Sequence, residues 1–134
     1  MRIACLVAAA LLAACSTAQP PVAAADIRIS RPAGDSAMAA GYLTLTNNTR
    51  DPVTITRVTS QQFESVAMHE TVIEDGVARM RAIGNLTLAP GEPVRFEPGG
   101  KHLMLMRPRG VAGPVRLDFF AGDTLVLSLD VEPT

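Results

Sequence analysis

The chain has 134 residues, with twelve Lys and Arg against thirteen Asp and Glu and a formal charge of −1. The charges are scattered rather than gathered on one stretch, which argues against a nucleic-acid partner. Its two cysteines, Cys5 and Cys15, both precede the first strand-like pattern, so the folded part has no disulfide and no thiolate ligand. A blue-copper electron-transfer centre, which needs a cysteine beside its histidines, is thereby excluded.

Residues 1–25 read as an export leader and tether, ahead of a single domain over 26–134. Arg2 is a minimal positive start, and the apolar run over residues 3–14 is too short to span a bilayer comfortably. The run ends in Leu12-Ala13-Ala14-Cys15, which resembles a bacterial lipobox, in which the cysteine is acylated and becomes the new N-terminus. Ordinary cleavage at Ala23, Ala24 and Ala25 is the alternative. Either route exports the protein from a bacterial cytoplasm, to the periplasm or cell envelope. Without Arg2 the balance is eleven basic against thirteen acidic residues, near −2. Residues 20–25 are apolar but aperiodic, and read as a short tether.

From Ile27 onward the pattern is that of strands, with no convincing helix. Short runs alternate with period two and are separated by Gly, Pro, Asn and Asp clusters, as in an all-β antiparallel sandwich. The predicted strands are 26–30, 41–47, 53–59, 65–74, 77–82, 93–97, 102–107, 115–120 and 124–131. Tyr42, Phe63, Phe96, Phe119 and Phe120 are expected in the core or on its rim.

One hairpin can be read in register. Asp75-Gly76 is a type I′ turn signal, because both central residues need positive φ. Closing there sets Glu74 against Val77, and further back Glu70 against Arg81 and Val72 against Arg79. That face is charged and solvated, with Glu70 and Arg81 as its ion pair. The other face carries His69, Thr71, Ile73, Ala78, Met80 and Ala82. His69 and Met80 become diagonal neighbours, roughly 7–8 Å apart at the backbone. In residues 101–107, His102, Met104 and Met106 point one way while Leu103 and Leu105 point to the core. Gly99 and Gly100 let the backbone bend just before.

His69, Met80, His102 and Met104 therefore stand out, at intervals of eleven, twenty-two and two residues. They include both histidines of the chain. Imidazole nitrogen with thioether sulfur suits Cu(I) and suits hard cations poorly. Thioethers need no deprotonation and escape the disulfide chemistry of an oxidising compartment. They also hold metal less firmly than thiolates, as befits a carrier that must release it. Any one of these residues alone reads more simply as packing or surface; the joint spacing is what carries the expectation. Met38, Met68 and Met106 are expected as packing or auxiliary contacts, with Met106 the first of them to touch the metal. No Ser, His and Asp combination supports catalysis, so the chain is expected not to be an enzyme.

The spacing of these four residues, with Glu-Asp-Gly after His69 and Pro-Gly-Gly before His102, resembles the periplasmic copper chaperones of the PCu(A)C family. Residues 69–106 carry the specific part, above all Lys101-His102-Leu103-Met104-Leu105-Met106; Ala40-Gly41-Tyr42-Leu43-Thr44-Leu45-Thr46-Asn47 matches an early strand more loosely. The resemblance implies a cupredoxin-like, Greek-key β-sandwich that binds Cu(I) through His69, Met80, His102 and Met104. It implies delivery to the copper centre of cytochrome c oxidase, directly or with a thiol-bearing partner chaperone. Two departures matter. The sequence has no His- and Met-rich tail of the kind that takes Cu(II) in many members, so an oxidised-copper site is not expected. The segment over 107–114 is shorter than is typical, which predicts trimmed or differently paired final strands. A lipid-anchored docking module without metal, using the Met-rich rim as its contact surface, and a copper buffer are the competing readings.

Overall fold

A computed structural model describes residues 19–32, 34–110 and 112–134. Residues 1–18, with Cys5 and the acylation candidate Cys15, lie outside them, and so does most of the expected leader. Among the described residues there is no helix, and none long and apolar enough to cross a membrane.

Eleven strands carry the fold: β1 (Val22–Ile29), β2 (Met38–Asn47), β3 (Val53–Ile55), β4 (Arg57–Thr59), β5 (Phe63–Glu74), β6 (Val77–Ile83), β7 (Leu86–Leu88), β8 (Val94–Phe96), β9 (Lys101–Pro108), β10 (Val115–Ala121) and β11 (Thr124–Val131). Nine form one curled sheet in the order β1-β2-β8-β9-β5-β4-β10-β11, with β6 added to β5 and a second pairing of β2 with β9. β3 and β7 make a separate ribbon. All strand pairings are antiparallel except the single-residue contact of β8 with β9. The sheet folds back on itself at its ends. Thr134 N–H donates to the Ile29 carbonyl (2.9 Å), and Arg31 N–H donates to the Thr134 carbonyl (3.1 Å).

Alternation accounts for the core. β2 reads buried at every second residue, Leu43 and Leu45 being fully enclosed, and β9 and β10 do the same with Leu103, Leu105, Leu117 and Phe119. Period-two burial on one face is what a sheet folded over itself requires. Phe63, Phe96 and Phe119 join this core, while Phe120 is half-buried under the Arg57 guanidinium, 4.3 Å from its ring centroid. Asn47 is fully buried at the end of β2, yet satisfied: its amide donates to the carbonyls of Asp51 (2.8 Å) and Leu88 (2.9 Å), and its oxygen accepts from Thr49.

Three readings of the sequence need correction. Residues 22–25 are not tether but the first half of β1, paired from Val22 opposite Asn47 to Ala25 opposite Thr44. A β-bulge, with Asp26 at φ 53°, interrupts the alternation there and hid the strand. The run 53–59 is two strands: Thr56 donates its N–H to the Phe120 carbonyl (2.8 Å), and the chain passes from the β3–β7 ribbon into the main sheet. β7 was unread, three residues being too few for a period. β10 and β11 form a long hairpin from Val115–Val131 to Ala121–Thr124, with one register shift.

Candidate metal centre

The Asp75-Gly76 hairpin closes in the predicted register, with φ of 50° and 76° at its two turn residues. His69 is opposite Ala82, and Thr71 is opposite Met80. Its charged face is wired differently from expectation. Glu70 reaches Lys101 on β9 (3.9 Å), and Arg81 pairs with Glu74, which Arg79 also approaches (3.6 Å). Arg79 and Arg81 alternate on one face of β6, and the carboxylate nearest the turn captures both.

The other side of β5 was beyond the reach of the sequence. β9 lies antiparallel against it, placing His102 directly across from His69, Met104 across from Ala67, and Met106 across from Ser65. Leu103 and Leu105, fully buried, face Met68 and Val66, which turns the alternate residues of both strands away from the core. The two histidines come from segments thirty-three residues apart, yet their ring centroids are 5.8 Å apart, edge to face at 75°.

The four residues thus share one face of three adjacent strands. Met80, His102 and Met104 line an open groove of about 460 Å³, together with Thr71, Met38, Ala40 and Tyr42. His69 is beside His102 rather than in the groove wall. Small side chains at Ala67, Ala82 and Ala40 leave room beside the rings. Met80 stands on the exposed edge strand β6 and is itself 60% exposed, so its sulfur has space to swing. Met68 packs in the core at 5% exposure, as expected.

The donor chemistry fits a soft ion. His69 Nδ1 is buried without any hydrogen-bond partner, an arrangement that is costly unless something else occupies the lone pair. His102 Nδ1 lies 3.3 Å from the Gly100 carbonyl. In the tautomer that donates this bond, Nε2 is left with a free lone pair, the usual way a ligand imidazole is oriented. Among the described residues, no three His, Cys, Asp or Glu come together, so an ion held here draws on methionine sulfur. Among those residues no carboxylate lines the groove, and Arg31 does. Neutral donors beside a fixed positive charge favour a monovalent cation over a divalent one.

Nothing in the sequence marks Tyr42 as a groove wall, and Met38 reads there as packing or an auxiliary contact. Met38 precedes the predicted strand 41–47, and its exposure depends on the pairing of β2 with β9.

Comparison with known proteins places the chain. The model of a family described as "LpqE-like: Putative lipoprotein LpqE-like" matches residues 22–132. The putative lipoprotein Lxx21020 of Leifsonia xyli subsp. xyli is 30% identical over 130 residues, covering 87% of this chain and 76% of that protein. The uncharacterized protein RP573 of Rickettsia prowazekii is 29% identical over 104 residues, 77% of this chain but 52% of its own length, so the chain spans about half of that relative. Among solved structures, the copper-bound PCuAC domain from PmoF2 superposes with a TM-score of 0.68 at 18% identity, over 87% of this chain and 94% of that one. Identity at that level establishes the fold, and it is the cupredoxin-like one that the sequence resemblance implied.

Proposed function

The chain belongs to the LpqE-like family of putative lipoproteins and has the fold of PCu(A)C domains, and from that premise we propose that it is an exported, lipid-anchored copper chaperone. Its cargo is Cu(I), held by His69 and His102 through nitrogen and by Met80 and Met104 through sulfur. The observation that carries this reading is the direct opposition of His69 and His102 on β5 and β9, with an orphaned buried nitrogen on one ring and two thioethers at the same open face.

Each donor has a distinct part. The histidines sit on paired strands over the core and give a fixed nitrogen pair. Met104 is fixed on the same strand as His102. Met80 arrives from an exposed edge, the donor best able to leave first when the ion is handed on. Since thioethers bind Cu(I) less firmly than thiolates, a thiol-bearing acceptor draws the ion off. Delivery toward cytochrome c oxidase, directly or through such a partner chaperone, is the direction implied by the PCu(A)C resemblance. Acylation at Cys15 would tether the carrier to the periplasmic face of the envelope, in keeping with the lipoprotein descriptions of its relatives.

The test is reconstitution with Cu(I) under reductant, followed by X-ray absorption at the copper edge. One copper per chain with a mixed nitrogen and sulfur shell supports the site. A shell of oxygen donors, or no retained copper, overturns it.

A further inference from the structure

Met38 and Met106 face each other across β2 and β9. Arg107 N–H donates to the Ala37 carbonyl (2.7 Å) just beyond them. The methionine pair therefore takes the neighbouring non-hydrogen-bonded position of the ladder, where facing side chains come closest. Met104 lies two residues along β9, opposite Ala40 and diagonal to Met38. Three thioethers consequently project from one face within cross-strand reach of one another. Met38 lines the groove with Met104 and is 49% exposed. Packing does not explain so exposed an apolar side chain, and the four-donor centre uses neither Met38 nor Met106.

We propose that Met38, Met104 and Met106 form a second soft-metal site, an all-thioether station for a monovalent closed-shell cation such as Cu(I), beside the histidine pair and sharing Met104 with it. Sulfur alone, without an anion, selects Cu(I) or Ag(I) over divalent ions. The surrounding charge agrees: among the described residues no carboxylate lines the groove, and Arg31 does. Lacking imidazole, the second site is the weaker of the two. An ion passing between them releases His69, His102 and Met80, keeps its bond to the Met104 sulfur, and gains Met38 and Met106. This is ligand exchange, with no electron transferred. The sharing of Met104 rests on the function proposed above; the three-sulfur site does not.

The experiment is a titration of the mature chain, labelled at its methionine ε-methyl groups, with Ag(I), a redox-inert stand-in for Cu(I), followed by NMR. The first equivalent is expected to move the Met80 and Met104 methyls, and the second to move Met38, Met106 and again Met104. Met38→Leu preserves volume and should abolish the second step while leaving the first intact; Met106→Leu should likewise abolish the second step. A His69→Gln, His102→Gln double variant should still move Met38, Met104 and Met106. Methyls of Met38 and Met106 that stay still in excess Ag(I) overturn the proposal. So does weakening of the first step by Met38→Leu, which would make Met38 a ligand of the histidine centre. If Met38 and Met106 respond while Met80 never does, the thioether site stands and the four-donor centre fails.

Discussion

A thioether binds metal without surrendering a proton, and an imidazole binds only when neutral; this difference sets what single residues should do. Met104→Leu keeps volume and apolarity on a half-buried strand position, so the fold should survive, with a stability change under about 1.5 kcal/mol. Cu(I) affinity in a chelator competition should fall clearly, and an unchanged affinity would remove Met104 from the site. The histidines make binding pH-dependent. Protons compete for the imidazole lone pairs, so Cu(I) affinity should decline on acidification from about pH 8 to pH 5. A flat profile across that interval would mean that neither ring is a ligand. Met80, at 60% exposure, differs from Met104: Met80→Leu should speed copper transfer to a thiol acceptor more than it perturbs stability, as stopped-flow transfer kinetics would show.

At the scale of elements, the site depends on one tight turn and one close approach of backbones. Gly76 holds φ 76° at the tip of the β5–β6 hairpin. Gly76→Ala forces a side chain into the left-handed region, which should destabilise by about 1 kcal/mol or more and loosen the register that brings Met80 opposite Thr71. Gly41 acts differently. A Cβ there would sit 3.2 Å from the Leu103 Cβ and 3.3 Å from Leu105 Cδ1, between β2 and the strand that carries His102 and Met104. Gly41→Ala should therefore overpack this contact at roughly 1–3 kcal/mol, measurable by denaturant unfolding, and shift the β9 donors enough to lower metal affinity. Unfolding free energy unchanged in Gly41→Ala would show that β2 yields and that β9 is not pinned there.

For the whole molecule, the core is the platform beneath the donors. Leu105 is fully buried between Met104 and Met106 and faces Val66 and Ala39. Leu105→Ala should cost about 2–5 kcal/mol and reduce copper affinity as well, because the strand beneath the ligands loses its anchor. Phe119, on β10 and away from the groove, offers the contrast: Phe119→Ala should cost about 3–5 kcal/mol while the residual folded protein still binds copper. Thermal melts paired with metal titration would separate the two effects.

Features set by neighbouring residues were legible in the chain alone. Period-two alternation assigned most strands, Asp75-Gly76 fixed one hairpin to the residue, and Leu103 and Leu105 told which way His102 and Met104 point. These follow from chain geometry alone, which needs no knowledge of distant neighbours. Failures came where local signal was broken or too brief: the bulge at Asp26, the sheet switch at Thr56, the three residues of β7. The wiring of Glu70 to Lys101 rather than Arg81 belongs to tertiary structure too, since it depends on which strand lies on the far side of β5. So does the meeting of His69 with His102, and of Met38 with Met106. Pairing β9 against both β5 and β2 juxtaposes segments far apart in the chain, and that choice is made by burying leucines and phenylalanines together, a cooperative decision no single stretch of residues encodes.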